Sequence, residues 1–218
     1  MTRSIVIWGA SGHARVVADA ARMAGISVAG FLDDNESRRG EPFFQSTVLG
    51  GAGILADLFA EGARFIHVAI GDCAARLRLA DVAVVHGFLL ETVVHSRAIV
   101  AADVALGAGT FVAGGAIVNP GARIGCNVIL NTACSVDHDC VVEDGVHIGP
   151  GVRVGGAARI GRGAWIGIGA SLIDRVSVGA GAIVGAGSVV VRNIPPGVVA
   201  YGVPARFVRN RTAQRSAV

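Results

Sequence analysis

Residues 142–172, VEDGVHIGPGVRVGGAARIGRGAWIGIGASL, decide the fold of this chain, because every sixth residue from Val142 to Leu172 is aliphatic. The same period runs without an insertion from Val100 to Val190, and the residue two places before each aliphatic position tends to be small. A helix needs an apolar spacing near 3.6 residues and a simple strand one near 2, so neither explains this period. A hexapeptide period predicts a parallel β-helix, in which each repeat forms one short strand and one turn around a common core.

The length of the repeat predicts the size of this β-helix. With three repeats in each triangular coil, residues 100–190 predict about five coils and a prism about 24 Å long. The 32 glycines of the chain lack the every-third-residue period of collagen, so they indicate many tight turns rather than a fibre.

The first ninety residues follow a different pattern, that of a small α/β sheet. A short apolar run at residues 5–8 is followed by GASGH at residues 9–13. A helical pattern comes next, and it places on one face Val16, Val17, Ala20, Ala21 and Met23. Two further apolar runs follow, at residues 27–32 and 65–70. This alternation of strand and helix predicts a Rossmann-like parallel sheet.

A ligand site is expected where the strands of this sheet end. In such sheets ligands bind at the carboxyl ends of the strands, where Gly12, Asp33, Asp34 and Gly71 would cluster. The N–H groups at the start of a helix suit an anion, so a nucleotide phosphate is the natural hypothesis. The spacing is not a full GxGxxG motif, and a ligand site and a merely tight turn both remain open.

Composition excludes several classes of function. The chain has no lysine, which excludes Schiff-base and lysine-nucleophile chemistry. The net charge is +3, and the arginines cluster only near the C-terminus, at Arg206, Arg209, Arg211 and Arg215, without the interleaved aromatics that a nucleic-acid surface needs. The four cysteines form no CxxC pair, so buried free thiols are expected.

We also expect neither membrane insertion nor export. No stretch of about 18 residues is continuously apolar without a glycine or a charge. The N-terminus carries too short an apolar run for a secretory signal, so a cytoplasmic location is predicted.

The stretch SVDHDC at residues 135–140 holds the candidate base. Histidine is the side chain whose ordinary pKa lies close enough to neutrality for it to accept a proton as a general base. His138 lies two places after the inward residue Val136, and a carboxylate from Asp137 or Asp139 within hydrogen-bond reach would raise its pKa. From the residues alone, a solvated corner of the repeat and a catalytic base both remain open.

The motifs of the whole chain resemble one family. The repeat and its closing YGVPAR segment, residues 201–206, resemble the left-handed β-helix of the hexapeptide-repeat acyltransferases. Together with GASGHARVV at 9–17, FLDD at 31–34, VAIG at 68–71 and DHD at 137–139, they resemble the bacterial nucleotide-amino-sugar N-acetyltransferases and their sialic-acid O-acetyltransferase-like relatives. The resemblance implies a homotrimer that uses acetyl-CoA as a co-substrate, with no tightly bound cofactor and no metal.

The resemblance also implies an arrangement of domains. Residues 1–91 would form the Rossmann-like nucleotide-sugar-binding domain, residues 92–194 the left-handed β-helix and residues 195–218 a C-terminal tail. Lining of the nucleotide pocket is implied for Ser11, Gly12, His13, Asp33, Asp34 and Gly71.

In the β-helix, the resemblance implies that His138 is the general base and that Asp139 raises its basicity, with Asp137 as a less favoured substitute. Contacts with acetyl-CoA are implied for His147, Gly156, Ile168 and Arg206, with the Gly156 N–H directed at the acetyl oxygen. Asn131 would either hydrogen-bond the acceptor or form an asparagine ladder inside the prism.

The leading prediction is therefore direct acetyl transfer from acetyl-CoA to a nucleotide-linked amino sugar. One alternative is O-acetylation of a sugar of the sialic-acid type by the same base. A non-catalytic nucleotide-binding protein is another. A zinc hydratase of the carbonic-anhydrase type is least favoured, because it needs three histidine ligands at a subunit interface.

Overall fold

A computed structural model of the chain describes residues 3–211. The N-terminal part consists of β1 (Ser4–Trp8), α1 (Gly12–Met23), β2 (Ser27–Leu32), a 3-10 helix (Glu36–Arg38), β3 (Pro42–Phe43), β4 (Ser46–Gly50), a 3-10 helix (Ala52–Ile54), α2 (Leu55–Ala60), β5 (Phe65–Val68), α3 (Cys73–Val85) and β6 (Leu89–Leu90). The strands form one sheet in the order β3-β4-β2-β1-β5-β6, in which only β3 and β4 pair antiparallel. The predicted Rossmann-like α/β sheet is confirmed.

The helices cover the two faces of this sheet. Ile5 and Ile7 of β1 pack with α1, whereas Val6 and Trp8 pack with α2 and α3. The sequence pattern was wrong about one flank of α1, because Val16 is 43% exposed. Met23, two turns further along the same flank, is also exposed. The buried face of α1 is centred on small residues and one valine, at Ala14, Val17, Ala18 and Ala21.

The second part is a prism of two-residue strands. These strands are β7 (Val93–Val94), β8 (Ile99–Val100), β9 (Ala105–Leu106), β10 (Phe111–Val112), β11 (Ile117–Val118), β12 (Arg123–Ile124), β13 (Ile129–Leu130), β14 (Ser135–Val136), β15 (Val141–Val142), β16 (His147–Ile148), β17 (Arg153–Val154), β18 (Arg159–Ile160), β19 (Trp165–Ile166), β20 (Ser171–Leu172), β21 (Ser177–Val178), β22 (Ile183–Val184) and β23 (Val189–Val190). Each strand from β7 to β20 pairs in parallel with the strand one coil later, as Phe111 does with Ile129. The hexapeptide period therefore predicted the stacking correctly.

Three sheets form the faces of the prism. The first face contains β7, β10, β13, β16, β19 and β22; the second face contains β8, β11, β14, β17, β20 and β23; and the third face contains β9, β12, β15, β18 and β21. The aliphatic residue of each repeat points inward and is buried from Val112 to Val190. At the open start of the prism, Val100 and Leu106 are only partly buried.

A C-terminal hairpin extends the first face. It consists of β24 (Val198–Gly202), which pairs in parallel with β22, and β25 (Ala205–Asn210), which pairs antiparallel with β24. Part of the predicted tail, residues 212–218 with Arg215, lies outside the described residues.

The N-terminal sheet docks on the first face of the prism through α1. Phe111 and Ile129, which point outward from the first face, share one buried cluster with Ala14 and Val17 of α1. The two parts therefore form one continuous apolar interface.

The cysteines agree with the expectation of free thiols. All four cysteines are free, and only Cys126 is less than fully buried. Among residues 3–211, no helix is long and apolar enough to cross a membrane.

Candidate active site

The turn between the second and third faces carries the predicted base. Successive coils place Pro120, His138, Gly156, Asp174 and Arg192 at the same point of this turn, because these residues are one coil apart. We call this row of five residues the His138 edge. It lies at the corner of the triangle opposite the first face.

His138 projects from this edge with its imidazole bound to one carboxylate. Its Nδ1 lies 2.9 Å from Oδ2 of Asp139. Since a carboxylate oxygen accepts, Nδ1 carries the hydrogen and Nε2 of the neutral ring presents a lone pair. The bond to Asp139 raises the pKa of His138 above its ordinary value, and the charges of Asp137 and Asp174 add to this effect. The side chain is 61% exposed, so a substrate can reach Nε2 from outside the prism.

The two flanking aspartates have different partners. Oδ1 of Asp137 accepts hydrogen bonds from Nδ2 of Asn119 at 2.8 Å and from the backbone N–H of His138 at 2.7 Å. Both bonds hold the pKa of Asp137 below its usual range. Asp139 has a φ of 58°, a conformation that aspartate adopts more readily than most residues, and its carboxylate reaches the imidazole. Asp139 therefore orients the ring, whereas Asp137 holds the turn.

Gly156 leaves room for the His138 ring on the next coil. A Cβ at this position would lie only 2.6 Å from Nε2 of His138. The Gly156 N–H, which the resemblance implied as a donor to the acetyl oxygen, donates instead to Oδ1 of Asp174 at 2.9 Å. An acetyl oxygen would therefore have to replace the Asp174 carboxylate as acceptor of this N–H. The glycine itself lies beside His138.

A second group of predicted residues surrounds the start of α1. The N–H of Gly9 donates to the carbonyl of Leu32 at 2.8 Å, and the N–H of Ala69 donates to that of Trp8 at 2.7 Å, so the carboxyl ends of β1, β2 and β5 lie side by side. Within the described residues, the side chain of Ser11 makes no capping bond, and the first turn of α1 has no acidic residue. The N–H groups at this positive end of the helix dipole can bind an anion.

The loop after β2 adds charged side chains at the same end of the sheet. Asp33 pairs with Arg38, whose guanidinium also donates to the carbonyl of Ala10 at 2.8 Å. Oδ1 of Asp34 accepts the N–H of Ala52 at 3.1 Å. Asp33 is thus positioned by its own loop and Asp34 by the segment after β4, and Arg38 brings a positive charge to the Gly-rich turn.

His147 and His13 lie in the seam between the sheet and the first face. Nδ1 of His147 is 3.3 Å from the carbonyl oxygen of Gly71 and must donate to it, so Nε2 accepts from Nδ2 of Asn131 at 3.2 Å. Burial, assisted by the charge of Arg76, lowers the pKa of His147 to about 4. Burial likewise lowers the pKa of His13, whose ring lies 6.5 Å from that of His147, to about 3. Both rings are therefore neutral near pH 7.

These contacts decide one prediction and restrict another. The Asn131 side chain bonds to His147 on the outside of the prism, so the hypothesis of an asparagine ladder inside it is wrong. Both ring nitrogens of His147 are engaged, and its ring stacks on Trp165 with centroids 5.5 Å apart. A contact of His147 with acetyl-CoA would therefore use the edge of the ring.

The predicted site residues fall on different sides of one chain. Against or near the first face lie Ser11, Gly12, His13, Asp33, Asp34, Gly71, Asn131 and His147, whereas the opposite corner holds His138, Asp139 and Gly156. Ile168 is 62% exposed on the turn between the first and second faces. Arg206 lines a cavity with Arg192 and Phe207. One chain does not bring the nucleotide pocket next to His138.

Sequence reasoning missed three side chains. Arg38 and Asp174 carry no motif of their own. Arg76 did leave a signal, because it shares the helical spacing of Cys73, Ala80 and Ala83, which form the buried face of α3. An arginine on an apolar helix face has a buried partner.

Among residues 3–211, no group of three or more His, Cys, Asp or Glu side chains is arranged to hold a metal ion.

Two family profiles match the chain. The family described as the PglD N-terminal domain matches residues 4–83. The family described as bacterial transferase hexapeptide (six repeats) matches residues 157–192. No curated protein sequence matches the chain.

Several solved structures match over almost the whole chain. The perosamine N-acetyltransferase of Caulobacter crescentus is 38% identical, with a TM-score of 0.92 over 95% of this chain and 97% of that one. It was solved with CoA and GDP-perosamine, also as variants in which one histidine is replaced by asparagine or alanine. The acetyltransferase domain of PglB from Neisseria gonorrhoeae, in complex with acetyl coenzyme A, is 36% identical, with a TM-score of 0.89 over 95% of this chain and 100% of that one. WeeI from Acinetobacter baumannii is 28% identical, with a TM-score of 0.84 over the same shares.

These likenesses confirm the predicted fold, an α/β domain followed by a left-handed β-helix. They also confirm the resemblance stated from the motifs.

The contact between Gly156 and His138 can be tested by one methyl group. In Gly156→Ala the new Cβ would overlap Nε2 of His138, so the ring must swing away, and we expect turnover to fall about 100-fold because a shift of about 1 Å costs that much. The control is Gly114→Ala, which has the same position within its hexapeptide but lies at the corner between the first and second faces. There the Cβ would meet the His95 ring at an ordinary 3.4 Å. Steady-state kinetics measure both, and equal turnover of the two variants would refute the contact.

Proposed function

The chain belongs to the nucleotide-amino-sugar N-acetyltransferases that join a PglD-type N-terminal domain to a hexapeptide-repeat prism, and we propose that it transfers the acetyl group of acetyl-CoA directly to the amino group of a nucleotide-linked amino sugar. The observation that carries the proposal is the His138–Asp139 pair on the outer edge of the prism, combined with a likeness to a structure that holds CoA and GDP-perosamine.

His138 is the general base of this proposal. Nε2 accepts the amine proton as the amine nitrogen bonds to the thioester carbonyl carbon. The tetrahedral intermediate then expels the thiolate of CoA, which takes up a proton and leaves as the free thiol. Asp139 stabilises the imidazolium that forms meanwhile, which is the effect that raises the pKa of His138.

The thiol Cys140 is a poor alternative nucleophile. Its side chain is buried inside the coil and donates to the carbonyl of Gly155. Burial raises the pKa of this thiol, so it is protonated near pH 7. Direct transfer is therefore favoured over a covalent intermediate.

The His138 edge offers a path for acetyl-CoA. Arg192 lies three coils beyond His138 on this edge, about 14 Å at the usual strand spacing. Arg192 lines the same cavity as Arg206 and Phe207, and guanidinium groups bind phosphates well. We place the phosphates of CoA there and the thioester on the outer side of the His138 ring, next to Gly156, with Ile168 supplied by a neighbouring copy.

The nucleotide is assigned to the N-terminal part. Ser11, Gly12 and His13 would receive the diphosphate at the start of α1, with Asp34 and Arg38 near the base or ribose. In this proposal the nucleotide domain is residues 1–91, the acetyl-transfer prism residues 92–194 and the tail residues 195–218.

A homotrimer completes the site in this proposal. The nucleotide pocket lies against the first face and His138 at the opposite corner, so a pocket from one copy must meet the His138 edge of the next. The second face offers apolar surface for such packing, since Ile99 is 64% exposed and Ile117 is 36% exposed. A cytoplasmic location is part of the proposal, and the four free cysteines suit a reducing compartment.

The substrate class can be tested with a panel of UDP-, GDP- and dTDP-amino sugars supplied with acetyl-CoA. We expect thiol release with at least one of them and an amide product by mass spectrometry. The matching nucleotide sugars with a hydroxyl in place of the amine are the control and should release no thiol. Thiol release only with hydroxyl acceptors would establish O-acetylation, and nucleotide binding without any thiol release would establish a non-catalytic protein.

The role of Asp139 predicts a change in the pH profile. Because Asp139 raises the pKa of His138, Asp139→Asn should lower that pKa. A base acts only when unprotonated, so the acidic limb of log kcat/KM should move to lower pH, and the plateau should fall about tenfold as the base weakens. Asparagine tolerates the positive φ of this position.

Asp137→Asn is the matched control for this measurement. Its amide oxygen can still accept from Asn119 and from the His138 N–H, so its limb should move less than that of Asp139→Asn. An unchanged profile in Asp139→Asn would exclude Asp139 from the proton transfer.

The nucleotide site predicts opposite effects on stability and binding at Ser11. Aspartate is a good N-cap, so Ser11→Asp should raise the thermal midpoint while its charge repels a diphosphate at the start of α1. We expect KM for the nucleotide sugar to rise about tenfold or more, with KM for acetyl-CoA unchanged. Ser11→Asn, an equally good but neutral cap, should show little of this rise. Equal KM values in the two variants would show that no phosphate group of the substrate binds at the start of α1.

A further inference from the structure

One arginine of α3 is buried between the two parts of the chain. Arg76 is 1% exposed and forms no ion pair with the carboxylates of residues 3–211. Its five N–H groups instead donate to backbone carbonyls at 2.7 to 3.3 Å. The acceptors are the carbonyls of Ile70, Gly71, Asn127, Gly145 and Val146. A guanidinium has five donors, so this one is fully used.

These carbonyls belong to three separate segments. Ile70 and Gly71 follow β5 at the end of the sheet where the nucleotide pocket lies, whereas Asn127 and residues 145–146 precede β13 and β16 on successive coils. At residue 145 a Cβ would lie only 2.5 Å from Leu77 of α3, so α3 packs directly on this turn. One side chain thus joins the edge of the pocket to the prism.

The carbonyl of Gly71 is held from two sides. It accepts from Nη1 of Arg76 at 3.1 Å and from Nδ1 of His147 at 3.3 Å. His147 in turn bonds to Asn131 at the next corner of the prism. The position of Gly71 relative to the prism therefore depends on Arg76 together with His147.

We propose that Arg76 is a positioning residue for the nucleotide sugar, because it holds the Gly71 edge of the pocket at a fixed place on the prism. The inference rests on the proposed function in taking Gly71 as part of the nucleotide pocket. Arg76 touches no group of the His138 edge, which lies at the opposite corner, so its effect is confined to the nucleotide half of the site.

The charge of Arg76 supplies an independent readout. It faces the imidazoles of His13, His67 and His147, the thiol of Cys73 and the carboxylate of Asp72. Burial is the main cause of the low pKa of His147, and the Arg76 charge adds to it. Loss of that charge raises the pKa of His147, whereas a lysine at the same place keeps it low.

The experiment compares Arg76→Gln and Arg76→Lys with Arg78→Gln, an exposed arginine on the same helix. For each protein we measure KM for the nucleotide sugar and for acetyl-CoA, and the pKa of His147 by NMR titration. Both Arg76 variants should raise KM for the nucleotide sugar about tenfold, the usual cost of lost hydrogen bonds to a charged group. KM for acetyl-CoA should stay the same. The pKa of His147 should rise in Arg76→Gln only, and Arg78→Gln should behave as wild type.

Several outcomes would overturn the inference. Arg76 is only structural if the thermal midpoint falls while both KM values stay unchanged, or if both KM values rise together. Failure of Arg76→Lys to fold, although lysine keeps the charge, would also show that the role of Arg76 is only structural.

Failure of the proposed function can be recognised separately. If the wild-type protein acetylates no amino sugar, calorimetric binding of GDP and UDP replaces KM, and the same tenfold weakening in the Arg76 variants is expected. Unchanged nucleotide affinity in those variants would overturn the inference by itself.

Discussion

Inside each coil of the prism, a repeat has room for one aliphatic and one small side chain, and the rest of the structure depends on this constraint. Val136 and Cys140 fill these positions on either side of residues 137–139 and are fully buried. Residues 137–139 point outward and do not pack in the core. Acid–base chemistry can therefore be placed on the edge of the prism without cost to the core, which remains dry and closely packed.

The same constraint explains what could be predicted from the sequence. The inward positions follow from the period alone, because a side chain that points inward must be apolar. The predicted inward residues are therefore the buried ones from Val112 to Val190. Contacts between neighbouring coils also follow from the period, because residues one coil apart in the sequence lie next to each other. His138 contacts Gly156 in this way. Which aspartate orients His138 depends on the positive φ of Asp139. The same angle recurs at every sixth residue from Gly109 to Gly187, and most of these residues are glycines, so the period specifies it as well.

Contacts between the two parts of the chain could not be predicted. The acceptors of Arg76 lie between 5 and 70 residues away in the sequence, and they meet only because α3 docks on the prism. The hydrogen bond that engages the Gly156 N–H was missed for a related reason. Its partner Asp174 comes from the next coil, and the motif that suggested the role does not include it. The exposed flank of α1 at Val16 was likewise set by how the helix docks.

The placement of the proposed nucleotide pocket and of His138 on opposite sides of one chain leads to the central claim of the proposal, that each site is shared by two copies. The most direct measurement is the activity of mixed oligomers of His138→Ala and Ser11→Asp, refolded together in equal amounts. A shared site predicts that about a quarter of the sites receive an intact half from each variant. At nucleotide-sugar concentrations well below KM, where Ser11→Asp is impaired, the mixture should therefore be more active than either variant alone. Activity equal to the average of the two separate variants would contradict a shared site.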